Sequence, residues 1–545
     1  MVGVSIAPVP EFQKTACAGN NGIYDFVAIM KLKRKSSVSQ GSLSRMLQAA
    51  EQAWQRRDLQ QSIEILERAS RLDPANSGIL LDLGRMYGVR YDYAAAERCF
   101  ERAVRMAPRK TEALVAAGKQ SLEFVNYAMA ERYFQRALEQ KDVSPETLVL
   151  LAELYERLRR LAEATDLADR ALRLAGACAP ALLLRAKLHR QAGQLNEAEK
   201  LLRSFLLSKS ESAIGAQGWY ELGGILDRQG RYDEAMTAFL EAKALLRPLA
   251  ARPTAELQTI RQRLQVMQAS VSAEMLQRWF DDAPALPPPR RLALLGGHPR
   301  SGTTLLEQVL DSHPDIVSVE ETTIFHDDAY MPLTRGRPDN EPMLSVLEAA
   351  STGALQQSRA GYFRSAEMSL GNPIGNRLLI DKNPSLTFLI PLLIRVFPEI
   401  KLLVALRDPR DVCLSCFMQS LPLNQGSSAY LSLESTVEEY IAMMTLRLAL
   451  APLIKNPCME VRYEDMVNDL EPVARRTLDF LGVPWDAKVL GFDEHARQKV
   501  VRSPTYADVA KPVYKRAVGR WRNYQKYLEP HLSKLEPFVK AFGYE

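Results

Sequence analysis

The stretch Arg291-Leu-Ala-Leu-Leu-Gly-Gly297, continued by His298-Pro-Arg-Ser-Gly-Thr-Thr304, decides the fold of the second half of the chain. Its first part is a short apolar run of the kind that forms a buried parallel strand, and a helical pattern follows at 303–311. A glycine-rich turn between strand and helix presents several backbone N–H groups at the positive end of the helix dipole. The stretch therefore predicts an α/β domain with an anion-binding loop at residues 297–304.

The rest of the second half repeats this alternation of strand and helix. Further apolar runs predict strands at Leu378–Asp381, Lys401–Leu406 and Met459–Tyr463. Helical patterns lie between them, at 386–397, 410–420, 434–455 and 466–481. Such alternation is typical of a parallel sheet, in which ligands bind beyond the carboxyl ends of the strands. We therefore expect a parallel-sheet domain that resembles the P-loop folds.

The glycine spacing of the loop matches the nucleoside-triphosphate loop G-x4-G-K-[ST], but Thr303 stands where that loop has a lysine. Because that lysine neutralises the β- and γ-phosphates, its absence argues against an NTPase or a kinase. A basic residue, Arg300, lies inside the loop instead. Taken alone, the loop is equally compatible with a plain turn between a strand and a helix.

The first half contains a repeat of 34 residues, with a last step of 37. Small residues recur at Ser62, Ala96, Ala130, Ala164, Ala198 and Ala235. Large or small apolar residues follow in the same phase at Leu66, Phe100, Phe134, Ala168, Leu202 and Phe239. Pairs of antiparallel helices with this period cannot bury their apolar faces alone and stack into a superhelix. The segment 45–250 resembles a tetratricopeptide-repeat (TPR) array of about six units.

These patterns divide the chain into four predicted segments. Residues 1–44 are expected to form a disordered tail, and residues 45–250 the all-α TPR superhelix. Residues 251–290 are expected to form a capping helix and the proline-rich linker Pro284-Ala-Leu-Pro-Pro-Pro-Arg290. Residues 291–545 then form the α/β domain. The array is expected to bind a peptide or protein partner in its groove, or to serve as a scaffold or self-association surface, which leaves a homodimer open.

Composition excludes several other classes of protein. The net charge of +5 and the pI of about 8.7 are too mild for a nucleic-acid-binding protein. Six cysteines in 545 residues are too few for a disulfide framework and fit a reducing compartment. No apolar run is long enough to span a membrane, and no signal peptide is recognisable at the amino terminus. We therefore expect a cytoplasmic protein without a membrane span.

Several motifs of the second half, taken in order, resemble the tyrosylprotein sulfotransferases. The first are Pro299-Arg-Ser-Gly-Thr-Thr304, Leu310-Asp-Ser-His-Pro314 and Glu320-Glu321-Thr322. The others are Asp381-Lys-Asn-Pro384, Leu403-Val-Ala-Leu-Arg-Asp-Pro-Arg410 with Ser415, Val461-Arg-Tyr-Glu-Asp465, and Arg502-Ser503 with Lys511-Pro512 and Arg520-Trp521. The resemblance implies a sulfotransferase that moves a sulfuryl group from 3′-phosphoadenylyl sulfate (PAPS) to an acceptor hydroxyl, with a peptide tyrosine as the first candidate.

The same resemblance implies two groups of donor-binding residues. Those for the 5′-phosphosulfate are Arg300, Ser301, Gly302, Thr303 and Thr304. Those for the 3′-phosphate are Arg407 and Ser415, which supply a planar bidentate donor and a hydroxyl. The pocket is completed by Tyr463, Ser503, Lys511 and Arg520.

The resemblance also implies catalytic roles. Glu321 is expected to be the general base for the acceptor hydroxyl, with neighbouring Glu320 as the competing candidate. Arg300, Lys382 and Ser503 are expected to stabilise the charge that develops during in-line transfer, although Lys382 could instead only pair with Asp381. No metal is expected, and no His/Cys cluster has metal-binding spacing. Of the histidines near the site, His326 is the alternative base.

The chain departs from the family at two positions that concern the site. Gln419 stands where the family has a second arginine for the 3′-phosphate, a role that Arg410 could take over, and Ser318 replaces a family cysteine. Two alternatives stay open at this point. The acceptor could be a carbohydrate, lipid or small-molecule hydroxyl, or the chain could be a TPR scaffold with an inactive sulfotransferase domain.

Overall fold

The computed structural model describes residues 39–544, apart from residues 177, 208–212, 339, 500–502, 504 and 505. The predicted tail therefore lies almost entirely outside the described residues. The described chain forms two compact units, one ending at Arg231 and the other beginning at Tyr232. Compactness is not independent folding, so the four segment limits proposed above remain predictions.

The first unit consists of consecutive helices joined by short turns. They are Ser39–Gln55, Leu59–Leu72, Ser77–Val89, Tyr93–Met106, Lys110–Glu123, Tyr127–Leu138, Pro145–Arg157, Leu161–Ala175, Ala179–Gln191, Leu195–Leu206 and Ala213–Arg228. Successive helices pair and the pairs stack, so the array expected from the 34-residue period is confirmed.

Close packing explains the small residues that recur in the array. Ala96 and Ala130 are completely buried, as are Phe100 and Phe134 one helical turn later. A side chain at Gly84 would place its Cβ 2.4 Å from the Phe100 ring, and one at Gly118 would place it 2.5 Å from the Phe134 ring. Glycine on the first helix therefore admits the aromatic ring of the second helix.

In each helix pair of the array, a residue in the left-handed conformation lies in the turn between the first and the second helix. The positions with positive φ recur at the repeat spacing: Arg57, Tyr91, Val125, Arg159, Gly193 and Gly230. The next residue begins a helix, and Asp58, Asp92 and Asn126 each accept a hydrogen bond from that helix's first turn. The left-handed conformation costs a side-chain-bearing residue about 1–2 kcal/mol, so the array tolerates strain at the turns without glycine.

The second unit begins with helices that precede its sheet. They are Tyr232–Leu246, Ala251–Ser270 and Ala273–Asp282, with short 3-10 turns at Arg247–Leu249 and Ala283–Ala285. The helix Tyr232–Leu246 contains Ala235 and Phe239, the last members of the two recurring series. In this unit, the Asp233 carboxylate accepts from the Lys526 ammonium group at 2.8 Å. None of the helices in the described part of the chain has the length and apolarity that a membrane-spanning helix needs.

Five parallel strands form the centre of the second unit, in the order β2-β3-β1-β4-β5. They are β1 Leu292–Gly297, β2 Ile316–Glu320, β3 Leu378–Lys382, β4 Lys401–Leu406 and β5 Cys458–Arg462. The three inner strands are buried almost throughout. This arrangement confirms the predicted α/β parallel-sheet domain.

Helices and short turns connect the strands. After β1 and β2 these are Thr303–Asp311, the π-helix Phe325–Tyr330, Met331–Thr334, Met343–Glu348 and Thr352–Leu370. After β3 and β4 they are Pro384–Leu389 (3-10), Ile390–Val396, Pro409–Met418, Gln425–Ser428, Ala429–Leu431 (3-10), Leu433–Leu450 and Ala451–Leu453 (3-10). After β5 they are Tyr463–Asn468, Leu470–Leu481, Ala487–Gly491 (3-10), Phe492–Gln498, Tyr506–Val509, Arg520–Tyr524 (3-10) and Gln525–Ala541.

Three sequence-based expectations need correction. Strand β2 was not predicted, and Glu320 is the last residue of this buried strand. Tyr463 begins a helix and does not end β5. The helix expected at 386–397 is a 3-10 turn followed by Ile390–Val396, because Pro391 lacks an N–H and can enter a helix only in its first turn.

Alanine replacements at two glycines of the array test the strain argument, because they should change the stability of the array in opposite directions. Gly193 has φ of +78°, whereas Gly224 lies inside the helix Ala213–Arg228, and an added Cβ would meet open space at both. Gly193→Ala should therefore destabilise the array by about 1–2 kcal/mol, and Gly224→Ala should stabilise it by about 0.5–1 kcal/mol. Thermal unfolding of the two variants measures this, and equal shifts in the same direction would contradict the assigned turn geometry.

Candidate active site

The carboxyl ends of the five strands bring the predicted site residues to one edge of the sheet. Arg300 follows β1, Glu321 follows β2, Lys382 ends β3, Arg407 follows β4 and Tyr463 follows β5. Parallel strands end together, so residues from five distant parts of the sequence converge without any long loop.

Two glycines shape the loop between β1 and the helix Thr303–Asp311. Gly297 has φ of +127°, and a Cβ there would come within 2.4 Å of the Ala405 carbonyl oxygen. Gly302 has φ of +97°, and a Cβ there would come within 2.7 Å of the Tyr463 ring. The Gly297 N–H donates to the Thr387 hydroxyl at 2.8 Å. Both close approaches and both backbone conformations therefore require glycine.

The side chains of the loop lie largely out of solvent. Ser301, Thr303 and Thr304 are 2%, 4% and 9% exposed, and Arg300 is half-buried with φ of +72°. Such a φ is unfavourable for arginine, so the surrounding structure must hold the loop in this conformation. The loop thus combines backbone N–H groups at a helix start with hydroxyl donors and a cation, which suits an anion.

Arg300 connects the loop to both residues predicted for the 3′-phosphate. Its Nε donates to the Ser415 hydroxyl at 3.2 Å, and its carbonyl accepts from Arg407 Nη1 at 3.2 Å. Burial, together with the neighbouring charge of Arg407, lowers the pKa of Arg300. The structure therefore brings Arg300, Arg407 and Ser415 to one place.

Arg407 is held on several sides. Its Nη2 donates to the Ala517 carbonyl at 2.5 Å and lies 3.9 Å from the Asp411 carboxylate, and its guanidinium lies 5.0 Å from the centre of the Tyr463 ring. Its Nε is buried and has no hydrogen-bond partner among the described residues. A buried donor without a partner is costly, so it marks a place where a ligand oxygen would be stabilised.

Arg410, the substitute considered for the missing second arginine, is engaged elsewhere. Its Nε and Nη2 donate to the two oxygens of Asp408 at 2.9 and 2.8 Å, and Nη2 also donates to the Tyr544 carbonyl at 2.8 Å. Its guanidinium covers the Trp521 ring at 4.3 Å. Gln419 is directed to its neighbour, the Ser420 carbonyl, at 3.4 Å. Near Ser415, the arginines in place are Arg300, which donates to its hydroxyl, and Arg407, which donates to the Arg300 carbonyl.

Lys382 lies at the centre of a cluster of carboxylates. Its ammonium group is 2.6 Å from Glu321 Oε1, 3.0 Å from Glu320 Oε1 and 4.0 Å from Glu307 Oε2, and the side chain is completely buried. Burial alone would lower the pKa of Lys382, but the three carboxylates outweigh burial and raise it. Its other predicted partner, Asp381, instead accepts from the Tyr362 hydroxyl at 2.8 Å, since adjacent residues of a strand face opposite sides of the sheet.

The two neighbouring glutamates differ in their surroundings. Glu320 is 4% exposed, and its Oε1 accepts from the backbone N–H of Ser503 at 3.0 Å. Glu321 leaves the strand with φ of +48°, and its side chain is 16% exposed. The Ser503 hydroxyl in turn accepts from Thr304 Oγ1 at 3.2 Å. Ser503 therefore links the loop to Glu320, while Glu321 faces more open space.

The remaining predicted pocket residues are placed by their backbones. Lys511 is exposed and follows the short helix Tyr506–Val509. Arg520 begins a 3-10 turn, and its neighbours Gly519 and Trp521 donate backbone N–H groups to Asp411 at 2.7 and 2.8 Å. This segment therefore packs on the helix that carries Ser415, whereas Arg502 of the motif lies outside the described residues.

The histidines near the loop are occupied in other ways. His298 is 1% exposed with Nδ1 2.8 Å from the Pro299 carbonyl, and burial lowers its pKa to about 4. His326 Nδ1 lies 2.9 Å from Asp327 Oδ1, and His313 Nε2 lies 2.9 Å from the Pro484 carbonyl. Within the described residues, no three His, Cys, Asp or Glu side chains form a group suited to a metal ion.

Sequence reasoning missed a second group of charged residues behind the site. Lys499 Nζ lies 2.7 Å from Asp311 Oδ2, 3.2 Å from Glu307 Oε1 and 2.9 Å from the Ser318 hydroxyl. His495 Nε2 lies 2.8 Å from Asp311 Oδ2. The one signal in the sequence was the acidic pair Glu307 and Asp311, spaced by four on a helix that is otherwise apolar.

Comparison with known proteins agrees with this geometry. Residues 293–487 match the model of the sulfotransferase family. The carboxyl-terminal unit therefore carries a sulfotransferase domain. Four overlapping or successive matches to a tetratricopeptide-repeat model cover residues 47–108, 89–145, 122–179 and 183–254. The two halves of the chain thus match two different families, as their sequence patterns indicate.

The curated relatives are distant and match only part of the chain. Protein-tyrosine sulfotransferase 1 of Danio rerio is 26% identical over 263 residues, which are 47% of this chain and 72% of that protein. The protein-tyrosine sulfotransferase of Drosophila melanogaster is 27% identical, over 47% of this chain and 52% of that protein. An uncharacterized protein of Aquifex aeolicus is 25% identical, over 63% of this chain and 44% of that protein. The matches span between 44% and 72% of these relatives' own length.

Among solved structures, the sulfotransferase domain of the Synechococcus PCC 7002 olefin synthase is 22% identical. The match covers 43% of this chain and 88% of that domain, with a TM-score of 0.32. Yeast Tom70 is also 22% identical, over 41% of this chain and 48% of that protein, with a TM-score of 0.32. Scores this low support no argument about either half.

The charged group behind the site gives an acid-stability prediction. Burial would raise the pKa of Asp311, but Lys499 and His495 outweigh burial and lower it to about 2, below the ordinary 3.8. A carboxyl with a depressed pKa in the folded state stabilises the protein above about pH 4 and loses that stabilisation as the pH falls towards about 2. The difference in unfolding free energy between wild type and Asp311→Asn should therefore shrink by about 2 kcal/mol over this window.

Chemical denaturation at a series of pH values measures this difference. The same replacement at exposed Asp479, on the helix Leu470–Leu481, controls for the general effect of removing a carboxylate. A wild-type advantage over Asp311→Asn that stays constant from neutral to acid pH would contradict the assigned pairing with Lys499.

Proposed function

We propose that this protein transfers a sulfuryl group from PAPS to an acceptor hydroxyl. The observation that carries the proposal is the contact of Arg300 with both Ser415 and Arg407, which lets one ligand bridge the loop and the Arg/Ser pair. PAPS has an anionic group at each end of its ribose, so two anion-binding clusters side by side match it. A nucleoside triphosphate would instead require a lysine at Thr303.

In the proposed complex, the loop binds the 5′-phosphosulfate with its backbone N–H groups, its hydroxyls and Arg300. Arg407 and Ser415 bind the 3′-phosphate, where the unpartnered Nε of Arg407 gains an acceptor. Tyr463 packs over Gly302 and so limits how far the loop can open. Lys511 and Arg520 are proposed to complete the pocket from the segment beside the Ser415 helix.

The proposed reaction is an in-line displacement at sulfur. The acceptor oxygen forms a bond to sulfur, the bond from sulfur to the 5′-phosphate oxygen breaks, and its electron pair leaves with that phosphate. The hydroxyl proton moves to Glu321. Arg300, Lys382 and the Ser503 hydroxyl stabilise the charge that develops on the transferred group and the leaving phosphate, which is the main catalytic resource in transfers of this kind.

Several contacts favour Glu321 over Glu320 as the base. Glu320 is nearly buried, and its Oε1 already accepts from Ser503 and Lys382. Glu321 is more exposed, at the sheet edge where an acceptor can approach, and its Oε1 is 2.6 Å from Lys382. A base must reach the proton that it removes, so exposure matters more than adjacency. We therefore assign Glu320 to the positioning of Ser503 and Lys382.

For the acceptor, we propose a tyrosine hydroxyl of a peptide or protein. Its support is the similarity to the protein-tyrosine sulfotransferases of Danio rerio and Drosophila melanogaster, together with the TPR array, which suits recruitment of a protein partner. The five cysteines among the described residues are free, in keeping with a reducing compartment such as the cytoplasm.

Mass spectrometry tests the transfer itself. Wild type incubated with PAPS is expected to add a sulfuryl group to members of a tyrosine-peptide panel, and Glu321→Gln should lower turnover by about 10²–10⁴. Glu320→Gln should mainly weaken donor binding. If the sulfuryl group is transferred to a glycan or small-molecule panel instead, the proposed tyrosine acceptor is wrong. Donor binding without any transfer would indicate an inactive domain on a TPR scaffold.

A binding experiment tests the two anion clusters separately. Wild type should bind 3′-phosphoadenosine 5′-phosphate far more tightly than adenosine 5′-phosphate, because only the former has a 3′-phosphate. Arg407→Met should reduce this preference by at least about tenfold, since charge-assisted hydrogen bonds are worth about 1.5–3 kcal/mol each. Isothermal titration calorimetry measures both affinities. Arg475→Met, at an exposed arginine of the helix Leu470–Leu481, is the matched control and should keep the preference.

A further inference from the structure

Lys499 bridges two elements behind the proposed site. Its ammonium group contacts Glu307 and Asp311 on the helix Thr303–Asp311 and the Ser318 hydroxyl on β2. The Ser318 hydroxyl also donates to Glu307 Oε1 at 2.5 Å, and the Ser318 N–H donates to Asp311 Oδ1 at 2.6 Å. Lys499 is thus the cation of a second charged cluster, beside the one around Lys382.

Glu307 belongs to both clusters. Its Oε1 accepts from Lys499 and Ser318, whereas its Oε2 is buried, accepts no hydrogen bond among the described residues and lies 4.0 Å from Lys382. The side chain is completely buried. Burial, only partly offset by Lys499, raises the pKa of this carboxyl. A small movement would therefore bring Glu307 Oε2 into hydrogen-bond contact with the ammonium group of Lys382, which now contacts Glu321.

Carboxylates outnumber ammonium groups in this region, so Glu307 and Glu321 compete for Lys382. Four carboxylates face the two ammonium groups: Glu307 and Asp311 from the helix, and Glu320 and Glu321 from the end of β2. His495 contributes at the outer side, through Asp311. Removing one partner of a buried ion pair leaves an uncompensated buried charge, which is destabilising unless another partner neutralises it. If Lys499 were absent, the nearest ammonium group for Glu307 would be that of Lys382.

We propose that Lys499 is a positioning residue, which by neutralising Glu307 and Asp311 keeps Lys382 on Glu320 and Glu321. The effect on catalysis rests on the proposed function, whereas the effect on geometry does not. In the sulfuryl transfer, a Lys382 withdrawn towards Glu307 no longer holds the Glu321 carboxylate or faces the transferred group.

A crystal structure of Lys499→Met, grown at alkaline pH because burial favours the protonated form of Glu307, tests the geometry without any assay. The expected result is that Lys382 Nζ moves into hydrogen-bond contact with Glu307 Oε2 and out of contact with Glu321. The double variant Lys499→Met with Glu307→Gln lacks the competing carboxylate, so Lys382 should return to its wild-type position. A Lys382 that stays on Glu321 in the single variant overturns the proposal, as does a Lys382 displaced equally in both.

Kinetics test the consequence in the same variants. Lys499→Met should lower kcat by about 10–100-fold with a smaller change in KM for PAPS. Lys499→Arg and the double variant should both regain most of this loss, which a merely structural role of Lys499 would not allow. Lys488→Met, at an exposed lysine, is the control and should match wild type.

The experiments distinguish a failure of the proposed function from a failure of the proposed role of Lys499. If wild type transfers no sulfuryl group but the crystal structures show Lys382 moving as expected, the proposed function is wrong and the role of Lys499 in placing Lys382 stands. If wild type is active and Lys499→Met keeps the wild-type kcat with Lys382 in place, the role of Lys499 is wrong and the proposed function stands.

Discussion

The enclosure of two like charges, Arg300 and Arg407, at the carboxyl edge of the sheet is the constraint on which the site depends. Arg407 donates to the Arg300 carbonyl, and Arg300 donates to the Ser415 hydroxyl. Arginine keeps its charge in proteins, so the repulsion is not relieved by loss of a proton. Glycine at 297 and 302, the left-handed Arg300 and the Tyr463 ring all serve to hold this arrangement. A ligand with two anionic groups relieves the repulsion.

On the other side of the loop, the excess charge has the opposite sign. Lys382 and Lys499 are surrounded by carboxylates, and Ser503 and Thr304 join this region to the loop. The network buries Glu307 and Glu320 and leaves Glu321 partly exposed, which is the arrangement that the proposed role of Glu321 as the base requires.

Local patterns predicted the parts of the fold that local chemistry dictates. The 34-residue rows predicted the buried positions of the array, and the strand at Lys401–Leu406 and the helix at 303–311 have the predicted bounds. Strand β2 was missed because Ile316–Glu320 is short and ends in an acid that a second acid, Glu321, follows. Its burial depends on neighbours that lie more than 60 residues away in β3.

The candidate residues came from family motifs, and their partners came only from the structure. Nothing local pairs Lys382 with Glu320 and Glu321 rather than with adjacent Asp381, because that choice depends on strand register and on which side of the sheet each residue faces. The same holds for Lys499, whose partners precede it by more than 180 residues. The positive φ of Arg300 and Glu321 is likewise imposed by tertiary packing.

The most direct measurement is a crystal structure of the protein with 3′-phosphoadenosine 5′-phosphate bound. The 5′-phosphate should lie against the backbone N–H groups of residues 300–304, and the 3′-phosphate should lie within about 3 Å of Arg407 and the Ser415 hydroxyl. A nucleotide bound elsewhere, or one whose 3′-phosphate points to solvent while Arg407 keeps its present contacts, would contradict the account.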